Sequence, residues 1–141
     1  MRFRRLTEEE FAALEPEFVK FLSSQGIDAV EWQKAKSEKP HKVEYLLDEF
    51  STFFWESTTS RITYLEKIAD EDRWVFKFDE TTARVLRWIS SKNGVKPEVY
   101  KGTKEFPEEA RGREIFILLE QGLLPCTEDR HKELEELFKE V

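Results

Sequence analysis

The chain has 141 residues, 23 Lys+Arg against 30 Asp+Glu, and a net charge of −7. That length suits one domain spanning residues 1–141, and 12 Phe, 4 Trp and 3 Tyr exclude a disordered chain, which is poor in aromatics. No apolar run reaches the roughly 18 residues of a membrane-spanning helix, one cysteine rules out an internal disulfide, and the acidic balance disfavours a long nucleic-acid partner. The basic start, Met1-Arg2-Phe3-Arg4-Arg5, runs into Thr7-Glu8-Glu9-Glu10 where a signal peptide needs an apolar stretch, so a cytoplasmic setting without membrane contact is expected.

Thr7 and Glu10 make a capping box, each side chain able to satisfy an amide at a helix start. Phe11, Leu14, Phe18, Phe21 and Leu22 follow at helical spacing. Pro16 should kink this helix or delay its start, and Gly26 should end it in the left-handed region. Asp28 and Glu31 repeat the cap before a short helix from about Ala29 to Lys36, anchored by Trp32. Pro40 suits the first turn of a third helix. Val43, Leu46, Leu47, Phe50, Phe53 and Phe54 form its apolar stripe, and Ser57-Thr58-Thr59-Ser60 interrupts it. Ile62, Leu65 and Ile68 then resume helical spacing, so residues 41–69 read as one broken helix or two.

Beyond Asp70-Glu71-Asp72 the pattern changes. Residues 73–78 and 83–89 are rich in aromatic and β-branched side chains and flank a turn at Asp79-Glu80-Thr81-Thr82, which predicts a β-hairpin. Trp74, Phe76 and Phe78 should share one face. Lys92-Asn93-Gly94 reads as a second turn, and Val99-Tyr100 as a short third strand that Pro97 confines to an edge or a loop. Pro107 precedes a helix from about Glu108 to Gln121, with Gly122 just past its end. Thr127 caps a last helix whose stripe is Leu134, Leu137, Phe138 and Val141. The expected class is α+β: a helical N-terminal half, a small antiparallel hairpin or sheet near 73–101, and two C-terminal helices.

Chemistry-bearing motifs are scarce. There is no C-x-x-C, H-E-x-x-H or EF-hand pattern, and the five glycines form neither a P-loop nor G-x-G-x-x-G, so no metal, cofactor or catalytic residue is assigned. Cys126 can meet His131 across a helix start, and its place after Pro125 near that start would favour a lowered thiol pKa. Neither feature belongs to a nucleophile motif. The one compositional departure lies between Thr81 and Lys104. Arg84, Arg87, Lys92, Lys96, Lys101 and Lys104 face only Glu98, a balance of +5. With Trp88 and Tyr100 this window resembles a surface on which bases stack and phosphates pair, although lysines also guard exposed strand edges. Alternation puts Arg84, Leu86 and Trp88 on one face and Val85, Arg87 and Ile89 on the other, so neither face is a uniform platform. Trp55, beside the aromatic stripe, could border a surface groove. The candidate interaction surface is therefore Trp55, Arg84, Arg87, Trp88, Lys92, Lys96, Tyr100, Lys101 and Lys104.

Several segments together resemble a known group. Leu6-Thr7-Glu8-Glu9-Glu10-Phe11, Glu17-Phe18-Val19-Lys20-Phe21-Leu22, Gly26-Ile27-Asp28-Ala29-x-Glu31-Trp32, the stretch Lys34 to Pro40, Phe50-Ser51 and Tyr64-Leu65-Glu66 resemble a family of small Bacteroidetes proteins of unknown function, some of which have carried a histidyl-tRNA synthetase label. The likeness runs through the hairpin and weakens after about Gly94. It implies an uncharacterised bacterial cytoplasmic protein and brings no functional residues. The chain is too short for a synthetase core, and its two histidines form no recognisable active site. The leading expectation is a non-enzymatic domain acting by protein–protein contact or regulation with a protein partner. The alternative is nucleic-acid binding through residues 81–104, and a small enzyme comes last.

Overall fold

The computed structural model describes residues 3–90 and 96–139. The chain divides into two compact units, Met1–Ser57 and Thr58–Val141. The Lys92-Asn93-Gly94 turn and Val141 of the last stripe lie outside the described residues.

The first unit is helical. Thr7 caps α1 (Glu8–Ala13) through the predicted box, its hydroxyl accepting from the Glu10 amide while the Glu10 carboxylate accepts from the Thr7 amide. Pro16 divides the first apolar stripe rather than bending it. α1 ends at Leu14, and α2 (Glu15–Ser24) restarts with proline in its first turn, where no intrahelical donor is needed. Gly26, at φ +76°, closes α2 as the Ile27 amide reaches back to the Leu22 carbonyl. Asp28 caps α3 (Ala29–Glu38), and Pro40 opens α4 (Pro40–Ser60).

Phe18 is the hub of the first unit's core. Its ring meets Phe50 at 5.0 Å and Trp32 at 5.3 Å, both edge-on, an arrangement that aromatic quadrupoles favour. The expected stripe on α4 is only partly right. Leu46 and Phe50 are buried, but Phe53 is 57% exposed and Trp55 is 6% exposed. Residues 3–6 explain the shift, because they lie along a second row of α4. The Leu6 amide donates to Ser51 Oγ at 3.0 Å, Trp55 Nε1–H donates to the Arg4 carbonyl at 3.1 Å, and Arg5 pairs with Asp48 at 2.7 Å and with Glu44. The Ser/Thr run at 57–60 does not break α4 but forms its last turn.

The second unit is a five-stranded antiparallel sheet with a helix on each face. Its strands are β1 (Tyr64–Ile68), β2 (Asp72–Phe78), β3 (Thr82–Ile89), β4 (Glu98–Glu105) and β5 (Leu124–Cys126), in spatial order β4-β3-β2-β1-β5. The predicted hairpin is β2–β3, and Val99-Tyr100 belongs to the longer edge strand β4. Two strands correct the sequence reading. Residues 64–68 form β1 rather than helix, with Leu65 fully buried, and β5 was not expected at all.

α5 (Arg111–Glu120), entered through a 3₁₀ turn at Glu108–Ala110, covers one face of the sheet. Its Ile115 packs with Ile62, Leu65, Phe78, Ala83, Phe106 and Leu123. α6 (Glu128–Lys139), capped by the Thr127 hydroxyl, crosses the other face, where Leu134 and Phe138 meet Val75. Leu137 was expected in this stripe but is 48% exposed. The third buried position on α6 is His131, which a hydropathy pattern counts as polar. The architecture is α+β.

Candidate binding cleft

Strand register sorts the basic window between the two faces of the sheet. Arg84 pairs with Lys77 and Thr103, Leu86 with Val75 and Lys101, and Trp88 with Arg73 and Val99. These residues share the α6 side, since Leu86 and Trp88 pack on the Val75–Leu134–Phe138 cluster. Arg87, Tyr100 and Lys104 project from the opposite face.

On that opposite face Arg87 and Lys104 are neutralised. Arg87 grips Asp72 with two bonds of 2.9 and 2.7 Å and lies 4.2 Å above the Trp74 ring. The bidentate bond holds the Asp72 carboxyl below its ordinary pKa and raises that of Arg87. Lys104 pairs with Glu114 at 2.8 Å. Tyr100 is 51% exposed and donates to Glu98, which raises its phenol pKa.

On the α6 side Arg130 pairs with Glu66 and Lys139 with Glu136, but three strand cations differ. A cleft of about 790 Å³ opens between α6 and strands β2, β3 and β4. Val75, Leu86, Val99 and Phe138 supply apolar walls; Lys77, Arg84, Lys101 and Lys139 supply positive charge; among the described residues Glu135 is the one acidic side chain of the lining. Among the described residues Lys77, Arg84 and Lys101 have no carboxylate partner. Burial and the neighbouring Lys77 and Arg84 charges lower the His131 pKa, against the opposing pull of Glu135. The imidazole bonds Glu135 through Nε2 at 2.5 Å and packs on the Tyr64 ring at 4.7 Å, while Nδ1 is buried without a hydrogen-bond partner.

The remaining candidates fall elsewhere. Trp55 is interior to the first unit, with the Arg4 guanidinium 5.0 Å over its ring, which corrects its expected place at a surface groove. Trp88 is half-buried beneath Arg73 at 4.2 Å. Lys96 is exposed, and Lys92 lies outside the described residues. The Cys126 thiol is pushed up to about 11 by burial and by Glu66, the reverse of the lowering its position near a helix start suggested, so it rests as a protonated thiol. Among the described residues no three potential ligands gather to hold a metal ion. Lys77, His131, Glu135 and Lys139 were missed as site residues. They come from other elements, and only the fold brings them to the window.

The first 96 residues match a family of unknown function (DUF6495), and the chain belongs to that family. No curated protein and no solved structure matches it. The matched residues include Lys77 and Arg84, whereas β4 and α6, which complete the cleft, lie beyond them.

Proposed function

We propose that this protein is a non-enzymatic interaction domain that receives an acidic segment of a partner protein in the cleft between α6 and the sheet. The observation that carries this reading is the meeting of Lys77, Arg84 and Lys101, all without carboxylate partners among the described residues, on apolar walls in a chain of net charge −7. Elsewhere on the same sheet Arg87 and Lys104 each have a carboxylate. Unpaired cations beside apolar surface favour a ligand that is both anionic and hydrophobic. Division of the basic window between two faces removes the continuous basic track that a nucleic-acid backbone follows. The cytoplasmic setting belongs to the same proposal. No described helix is long and apolar enough to cross a membrane.

The test is binding of a capped synthetic peptide alternating glutamate with valine, alongside an oligothymidylate of similar charge. The peptide should bind more weakly as salt rises and lose about tenfold or more in affinity in Arg84→Glu and Lys101→Glu. Lys39→Glu, in the first unit, should bind as the parent does. Peptide binding indifferent to the cleft reversals overturns the reading, and preferential binding of the oligothymidylate replaces it with the nucleic-acid alternative.

A further inference from the structure

The backbone of β4 alternates as its side chains do. The Phe106 amide donates to the Thr81 carbonyl at 3.0 Å, which makes 81 and 106 a hydrogen-bonded pair in the β3–β4 register. By alternation Glu98, Tyr100, Gly102 and Lys104 spend their backbone groups on β3. The bonds from Asp79 to Thr82 and from Ser90 to Glu71 give the complementary phase on the β2 side of β3. Val99, Lys101, Thr103 and Glu105 therefore turn their amides and carbonyls outward. β4 is the edge of the sheet, and among the described residues no strand lies beyond it. The first three of these outward residues are also the β4 side chains that line the cationic cleft.

From this coincidence we infer that the partner's acidic segment binds as an added β-strand along β4, pairing with the outward backbone of Val99, Lys101 and Thr103 while its alternate side chains enter the cleft. This inference rests on the interaction reading above and specifies its mode. Main-chain bonds would supply affinity, and the side chains on one face would supply selectivity. The dock has natural ends: Pro97 has no amide to offer, and Glu105 repels an acidic side chain. Between them the edge accommodates an extended segment of about five to seven residues at roughly 3.3 Å each. Lysine on an edge strand ordinarily deters pairing. Here the deterrent is selective. A second copy of β4 would set Lys101 and its neighbour Arg84 against like charge, whereas an acidic strand would neutralise both.

Amide hydrogen exchange by NMR, read residue by residue with the same glutamate–valine peptide, tests the mode. In the free protein the Val99, Lys101 and Thr103 amides should exchange fast and those of Tyr100, Gly102 and Lys104 slowly. Saturating peptide should slow the first set about tenfold or more. Thr103→Pro removes one outward donor without touching the β3 ladder and should weaken the peptide about tenfold. Thr103→Val keeps the donor while losing the hydroxyl, so it should bind about fivefold or more tightly than Thr103→Pro. If the peptide binds in a charge-dependent way but the Val99, Lys101 and Thr103 amides stay fast, or Thr103→Pro binds normally, strand addition is overturned while the cleft reading stands. If the cleft reversals also leave binding unchanged, both fall.

Discussion

The two faces of the sheet carry the same kinds of residue and treat them differently. On the α5 side Arg87 and Lys104 are each held by a carboxylate, and Arg87 is also stacked on Trp74. On the α6 side Lys77, Arg84 and Lys101 stand over apolar walls without such partners among the described residues. Local composition thus says little about where charge is available. What matters is whether the neighbouring strand and helix bring an acid to the same face.

The strongest way to break this contrast is to loosen α6. Leu134 is 3% exposed and seals the helix to Val75, so Leu134→Ala should cost about 3 kcal/mol in denaturant-monitored stability and abolish peptide binding. Stability unchanged within error would mean that α6 is not what forms the cleft wall. A smaller effect comes from His131. Its pKa is lowered in the fold by burial from the ordinary value of 6.5. As pH falls below 6.5 the unfolded chain takes up this proton before the folded one does, so stability falls with falling pH and is flat above. His131→Asn should lose that slope, and an unaltered slope in the variant would place its origin elsewhere. The smallest effect is on the opposite face. Asp72→Asn releases Arg87 from its neutralising partner without touching the cleft. Peptide affinity should stay within about twofold, since that cation lies on the other side of the sheet. A larger gain would show that the peptide does not distinguish the faces.

Much of this was legible in the sequence, for reasons that differ by element. The helix ends were plain because caps are local: Thr7 with Glu10, Asp28 with Glu31, and Gly26 each act within a few residues. The β2–β3 hairpin was plain because its alternation is dense in aromatic and branched residues. β1 was hidden because Ile62, Leu65 and Ile68 are three apart, a spacing that fits a helix, while only Leu65 of the strand is fully buried. β5 is three residues long with a central proline, too short to show a period. The burial of Trp55 depends on residues 3–6, which have no periodicity of their own. The family likeness was readable in residues scattered over the first half, and the match to residues 1–96 bears it out. The cleft was half legible. The basic window led to Arg84 and Lys101, but Lys77, His131, Glu135 and Lys139 join it only through pairing of β2 with β3 and the crossing of α6.

The stacked guanidinium groups have an optical consequence. Trp74 and Trp88 lie in adjacent strands on opposite sides of the sheet, each with an arginine 4.2 Å from its ring. Iodide, an anion, concentrates near unneutralised cations, whereas acrylamide is indifferent to charge. The ratio of the two quenching constants should therefore be higher for Trp88 than for Trp74, with Trp→Phe variants assigning the signals. The molecule carries its own pair of lamps, one per side, and the light that dims when a ligand arrives tells which side it chose.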